Sequence, residues 1–349
     1  MSSNPIGVGI LGFAHGHVNL YCTAWKKDEA FGVRVLAGWD HDEARAKTAR
    51  ENHGIELASS QGDLLKRQDI SAVVIAAETS MHADLVEQAA AAGKAIVLQK
   101  PMAVTIEQAD RIVAAVSRSG VPFTMAWQMR VDPQNAKMKE LARGGTLGRL
   151  FMVRRRHTLG THTWPDFENS WHVAPQYNRD IWADDSSHPI DWLYWMLGKP
   201  ASVTAELGSL LNPKIPNDNG VAIFRYADGT FAEVCCSFTC LAGENTTEII
   251  AENGVVIQSF GDAPSAAAPR PAGAIGLKWL MKGDTQWTVS DIPSPANQGE
   301  RIAGLSGPIA EFLHGRRAPI ATAEEGRESL KMVLACYESA EQGRRVMLK

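Results

Sequence analysis

The sequence predicts an α/β chain in two parts: an N-terminal doubly wound parallel sheet, then an α+β part built on a large, mostly antiparallel, open-faced sheet. Three observations predict it. The first third alternates short, wholly apolar runs with helical stretches of ten to fifteen residues, the grammar of a parallel sheet covered on both faces. From 201 to about 290, strand signals follow one another with hairpin punctuation and no intervening helix, which points to antiparallel pairing. The 349 residues exceed what one domain of roughly 100–200 residues takes up, so two domains are expected, 1–123 and 124–349.

Taken in order, VGIL (8–11) reads as a buried strand and 15–30 as a helix. VRVLAGW (33–39) is the second strand, and the helix after it closes at Gly54. SAVVIAA (71–77) leads into a helix over 81–92 that stops at Gly93, and AIVLQ (95–99) follows. Thr105 with Gln108 three residues on is a capping box for a helix ending at Ser119-Gly120. Asp132-Pro133 opens a helix running to Gly144, and RLFMVRRRHTL reads as a strand. A loop containing Trp164, Trp171 and Trp182 precedes the apolar segment PIDWLYWMLG. GDAPSAAAPRPAG (261–273) reads as a surface loop, and a last helix covers about 323–343.

Composition narrows the function classes. A hydrophobic fraction of 45% with 21% charged residues is that of a globular chain with a sizeable core. The formal charge of -4 argues against a nucleic-acid partner, which needs a basic surface. The five cysteines lack C-x-x-C spacing, so a zinc or redox site is not expected and a reducing, cytoplasmic setting is. The N-terminal MSSNPIG has no basic or apolar region of a leader, and no apolar run approaches the ~20 residues that span a bilayer, so no membrane association is expected.

GVGILGFAHGH (7–17) contains G-x-G-x-x-G, but Gly7 and Gly9 fall in the first strand and cannot form the turn that delivers a pyrophosphate to a helix N-terminus. The working turn is Gly12-Phe13-Ala14-His15-Gly16-His17, with alanine and histidine at two positions where glycine is usual. Ala14 still permits close backbone approach. Asp40, at the end of the second strand, is placed to bind the adenosine ribose hydroxyls. Its charge would repel a 2′-phosphate and no arginine follows it directly, so NAD is expected over NADP. His15 and His17 suit packing at a helix start better than metal binding, since further ligands at recognisable spacing are missing.

Further landmarks resemble the Gfo/Idh/MocA family of oxidoreductases (glucose–fructose oxidoreductase/inositol dehydrogenase-like). Gln99-Lys100-Pro101 resembles the family's E-K-P, with glutamine for glutamate. AETSMH (77–82) is similar to its T-P-x-x-x-H turn, retaining Thr79 and His82, and WQMRVDP (127–133) to F-N-x-R-F-D-P, with Gln128 for asparagine and Arg130 kept. GTLGRL (145–150) and DDSSHPIDW (184–192) continue the likeness, the latter keeping Asp184, His188 and Asp191 with Ser186 for glycine. The resemblance covers essentially the whole chain.

It implies a Rossmann domain that binds NAD, with Thr79, His82, Gln99, Lys100 and Gln128 joining the glycine turn at the cofactor. It also implies hydride transfer at a secondary hydroxyl of a sugar, sugar acid or cyclitol. Lys100 is then the electrostatic partner of the reacting oxygen, His188 the general base, and Asp184 a carboxylate that binds a substrate hydroxyl or orients the histidine. Pro189 suits the first turn of a helix, which would put His188 near a positive dipole end. Trp171 and His172 join Lys100, Asp184 and His188 as expected substrate contacts, while packing of the loop competes as the role of its tryptophans and histidines. Two other activities stay open at this point: transient sugar oxidation with retained NAD, leading to elimination, glycoside cleavage or epimerisation, and a non-catalytic NAD- or sugar-binding sensor. The resemblance also implies a homodimer or homotetramer that covers the open sheet face.

Overall fold

The computed structural model describes residues 5–261 and 270–348. By their contacts these form two compact units: 1–128 with 176–178 and 299–330, and 129–175 with 179–298 and 331–349.

The first unit holds a six-stranded parallel sheet in the order β3-β2-β1-β4-β5-β6. Its strands are β1 (Ile6–Leu11), β2 (Val33–Trp39), β3 (Glu56–Leu57), β4 (Ala72–Ile75), β5 (Ala95–Leu98) and β6 (Phe123–Met125). The central strands are buried almost throughout, which is why they read as unbroken apolar runs. The strand order reverses direction at β1 and β4, the topological switch point where open α/β sheets bind ligands beyond their carboxyl ends. Helices α1 (His17–Lys27), α2 (Glu43–His53), α3 (Gln61–Lys66), α4 (His82–Ala91) and α5 (Ile106–Ser119) connect the strands.

Local chemistry sets the helix ends. Thr105 Oγ1 accepts from the Gln108 amide, and Gln108 Oε1 accepts from the Val104 amide, so the expected capping box forms one residue early on its return side. Gly54 and Gly120 stop their helices with positive φ, as their places in the sequence require. The first helix is shorter than expected: α1 ends at Lys27, and Asp28 caps a separate 3-10 turn over Glu29–Phe31.

The second unit carries a nine-stranded sheet in the order β14-β13-β12-β11-β7-β10-β9-β8-β15. The strands are β7 (Leu150–Thr158), β8 (Ser202–Gly208), β9 (Asn219–Arg225), β10 (Phe231–Ser237), β11 (Thr247–Ala251), β12 (Gly254–Gln258), β13 (Leu277–Met281), β14 (Thr288–Val289) and β15 (Val346–Met347). All neighbours are antiparallel except β7 and β10, which run parallel. Buried and exposed positions alternate along β9, β10 and the middle of β7 (Met152–His157). Val153, Arg155, His157, Ala222, Phe224, Ala232, Val234 and Cys236 are buried, while Met152, Arg154, Ile223 and Phe231 are exposed.

Helices α6 (Pro133–Arg143) and α7 (Ser187–Leu197) belong to this unit, and α7 packs on β7 and β10. Asp132 caps α6 through the amides of Gln134 and Asn135. Helices α8 (Gln298–Ala303) and α9 (Ser306–Leu313) precede the closing helix α10 (Ala323–Gln342). Most of the expected loop 261–273 lies outside the described residues.

Trp182, expected in the tryptophan-containing loop, is fully buried in the hydrophobic core. His188 and Pro189 lie in the first turn of α7 as expected, but a π-helical turn, Trp182–Ser186, runs directly into that helix, and Asp180 Oδ1 accepts from the Ala183 amide near its start. The free amides of a helix N-terminus, and their positive end, therefore lie more than a turn before His188.

Candidate functional site

In the first unit, the turn after β1 is built by glycine. Gly12 has φ +85°, and a Cβ there would lie 2.3 Å from the Ala77 Cα, so only glycine lets the chain pass β4 this closely. Gly12 donates to the Trp39 carbonyl and His15 to the Ala76 carbonyl, tying the turn to the ends of β2 and β4. Gly16 precedes α1 without a side-chain cap, no acid occupies the first turn, and a Cβ built on Gly16 meets nothing within 4 Å. His15 is buried and its ring packs edge-on to His17, 4.3 Å between centroids.

Asp40 stands at the end of β2 as expected, and its carboxylate is fully engaged. Oδ2 accepts from the Phe13 amide at 2.6 Å and from Arg45 Nε at 2.8 Å. Oδ1 accepts from the Asp42 amide at 2.9 Å and from Arg45 Nη2 at 2.7 Å. An arginine does reach Asp40, then, from the first turn of α2. No arginine follows Asp40 directly in the chain, but five residues along a helix start bring Arg45 back over the strand end. Arg45 Nη2 also donates to Glu78 Oε1 at 2.8 Å, and His41 Nε2 lies 3.0 Å from both Glu78 oxygens. These partners hold the Arg45 guanidinium well above its usual pKa. Neither Arg45 nor Glu78 was singled out from the sequence; Glu78, at the end of the β4 run, was the available signal.

The remaining first-unit candidates are buried. His82 has Nε2 3.1 Å from the Ala77 carbonyl and Nδ1 3.0 Å from the Pro101 carbonyl, so its ring braces two strand-end loops. Burial holds its pKa below the ordinary value. Gln99 donates to the Tyr21 hydroxyl at 2.8 Å, while its Oε1 and the Thr79 hydroxyl have no hydrogen-bond partner among the described residues. Lys100 is 3% exposed at the end of β5, and Gln128 is fully buried after β6. An uncapped helix start with open space at Gly16, a glycine-only turn and two unsatisfied polar atoms suit the diphosphate and amide groups of a dinucleotide.

In the second unit, the π turn aims two neighbouring carboxylates at different histidines. Asp184 Oδ2 lies 2.6 Å from His172 Nδ1. Asp185 Oδ1 lies 3.5 Å from His188 Nε2, and its Oδ2 lies 3.8 Å from His157 Nε2. His157 points inward from β7 and His188 from α7, with ring centroids 6.1 Å apart. Asp184 therefore orients His172, and the carboxylate beside His188 is Asp185. Trp171 stacks on His172 at 4.0 Å, and Phe167 lies against the same imidazole at 5.7 Å. Asp191 makes a two-pronged buried ion pair with Arg130, 2.9 and 2.8 Å. Asp185 and Asp180 were not predicted as site residues, because register along a π turn is invisible to a 3.6-residue period.

Comparison with known proteins agrees with both halves. Residues 6–127 match the model described as the oxidoreductase family, NAD-binding Rossmann fold, and 135–257 match the GFO/IDH/MocA C-terminal domain. The chain belongs to the Gfo/Idh/MocA oxidoreductase family.

Among its relatives, an inositol 2-dehydrogenase of Ralstonia nicotianae is 28% identical over 263 residues, 71% of this chain and 73% of that protein. A D-apiose dehydrogenase of Paraburkholderia graminis is 25% identical over 360 aligned positions, 99% and 88% of the two chains. The WlbA dehydrogenase of Chromobacterium violaceum, solved with NADH and UDP-GlcNAcA, superimposes with a TM-score of 0.80 at 21% identity, covering 100% and 97%. Both Gfo/Idh/MocA matches contain the residues described above: the glycine turn, Asp40 and Lys100 in the first, Asp184, Asp185 and His188 in the second. The chain is thus a member of an oxidoreductase family with an NAD-binding Rossmann fold. Among the described residues no helix is long and apolar enough to cross a membrane.

Proposed function

We propose that this protein is an NAD-dependent dehydrogenase that oxidises a secondary hydroxyl of a sugar, sugar acid or cyclitol. The observation that carries the cofactor half is the Gly12 turn, with an uncapped α1 start after it and Asp40 at the end of β2. NAD held by the Gly12 turn and the start of α1 would supply the hydride acceptor for this oxidation.

The roles of this chain's own residues follow from their chemistry. Lys100 donates a hydrogen bond to the reacting oxygen and stabilises the charge that grows there as the proton leaves. His188 takes that hydroxyl proton, and Asp185 favours the imidazolium that results. Asp184 accepts from a second hydroxyl of the substrate, and its contact with His172 keeps the carboxylate in one rotamer. Trp171 presents an indole face beside His172, a surface suited to the C–H face of a sugar ring. The relatives named inositol 2-dehydrogenase and D-apiose dehydrogenase support this substrate class. A cytoplasmic homodimer or homotetramer is part of the proposal, with the exposed Met152, Ile223 and Phe231 of the nine-stranded sheet as its apolar contacts.

The test is direct. The purified protein is mixed with NAD and a panel of polyols, aldoses and sugar acids, and the reduced cofactor is followed by absorbance. Reduction with at least one of them, lost in Lys100→Ala and His188→Ala, supports the assignment. If none reacts although NAD binds, the dehydrogenase assignment fails.

A further inference from the structure

We propose that Glu78 is a specificity residue that turns the adenosine end of the nucleotide site against a 2′-phosphate. The inference rests on the NAD reading above and deepens it.

The corner in question is formed by the ends of β2 and β4 and the first turn of α2. It holds Asp40 and Glu78, both almost fully buried, and above them Arg45 and His41, which are 24% and 34% exposed. A strand-end acid alone suits a ribose diol, and a nearby arginine suits a 2′-phosphate. This corner has both, so Asp40 does not decide between the two cofactors. The decision falls to whatever controls the Arg45 charge.

Asp40 takes two of the Arg45 donors, on Nε and Nη2. Had the corner ended there, one carboxylate and one guanidinium would cancel, and the exposed edge of Arg45 with His41 beside it would suit a phosphate. Glu78 changes that balance. It accepts from Arg45 Nη2 at 2.8 Å and lies 3.0 Å from His41 Nε2, so it engages both groups that would otherwise receive the phosphate. The two buried carboxylates of Asp40 and Glu78 outnumber the one guanidinium of Arg45 that they share. A phosphate carrying up to two negative charges is repelled there, whereas an uncharged diol is not.

Glu78 has no competing local task. It precedes the 3-10 turn Thr79–Met81, yet its side chain makes no capping hydrogen bond to it. Its carboxylate is spent wholly on Arg45 and His41 at 2% exposure, a desolvated position in which a charge acts strongly on its neighbours.

The experiment measures NAD and NADP affinity by calorimetric titration of the full chain, a readout independent of turnover. Glu78→Gln keeps the shape and removes the charge, and Glu78→Ser is measured beside it in case the glutamine variant does not fold. Relative to wild type, the charge-removing variant is expected to shift the NAD-to-NADP affinity ratio toward NADP by about tenfold, equivalent to ~1.4 kcal/mol. Adding Arg45→Met should erase that gain, because the phosphate then loses the cation that Glu78 had masked. An unchanged ratio in the folded variant, or a gain that survives Arg45→Met, overturns the proposal. A wild-type protein that prefers NADP overturns the NAD reading instead, and the shift in the variant still decides the role of Glu78. Binding of neither cofactor by wild type overturns both.

Discussion

His172 Nδ1 lies 2.6 Å from Asp184 Oδ2, and this contact separates two neighbouring carboxylates into different tasks. Asp184 is held by a histidine of the loop, while Asp185 stands between His188 and His157 on the helix and sheet. Asp185→Asn should therefore reduce kcat by roughly tenfold to hundredfold, because the base loses the carboxylate beside it. His188→Ala should cost more, ~10²–10⁴-fold. His172→Asn should act chiefly on KM, through the substrate contact assigned to Asp184. Steady-state kinetics across pH distinguishes the three.

Lys100→Ala should lower kcat/KM by ~10²–10³-fold, the scale of one donor at a developing oxyanion. Lys100→Arg keeps the charge but not the compact ammonium, and should recover only part of that loss. NAD affinity, read separately by titration, tells loss of chemistry from loss of cofactor.

Gly12→Ala should destabilise the first unit by at least about 2 kcal/mol and weaken NAD binding. The new methyl would meet Ala77 at 2.3–2.5 Å, and the backbone would hold alanine at positive φ. A variant with wild-type urea midpoint and NAD affinity would contradict this account of the turn.

Asp191→Asn removes the carboxylate charge paired with the buried Arg130 guanidinium. The expected loss is about 3–5 kcal/mol, read as a lower urea midpoint. Arg130→Met/Asp191→Leu should recover much of it, since an apolar pair removes the buried charges together.

Stability should fall on the acid side because of His82. Burial depresses its pKa from the ordinary 6.5, so below that value the unfolded chain binds a proton that the folded chain refuses. The contribution is complete above about 6.5 and is lost as pH falls toward the folded pKa, by at most ~1.4 kcal/mol per pH unit. His53, also depressed by burial, adds in the same direction. His82→Asn should flatten the decline in urea midpoint between pH ~7 and pH ~5.

Much of this was legible in the residues themselves. The parallel sheet could be read because each central strand is buried on both faces and so apolar throughout. Helix stops at Gly54, Gly93 and Gly120, and starts at Thr105 and Asp132, were readable because capping is settled by one or two side chains. Lys100, Asp184 and His188 were found by likeness of motifs, not by periodicity. The partners of the two aspartates were not legible, since the pairing of Asp184 with His172 and of Asp185 with His188 turns on a π turn whose register no local pattern announces. Nor was Arg45, whose side chain returns to Asp40 only once α2 is folded on the end of β2.

By itself the sequence determined the fold class, the family landmarks and the glycine turn, because burial on a sheet, helix capping and close backbone approach are written locally. Tertiary structure alone decided that 299–330 returns to the first unit, that Trp182 fills a core, and that Arg45 is shared between Asp40 and Glu78. Those are contacts between distant segments, and the direction of a long side chain across them depends on packing that no short stretch of sequence contains.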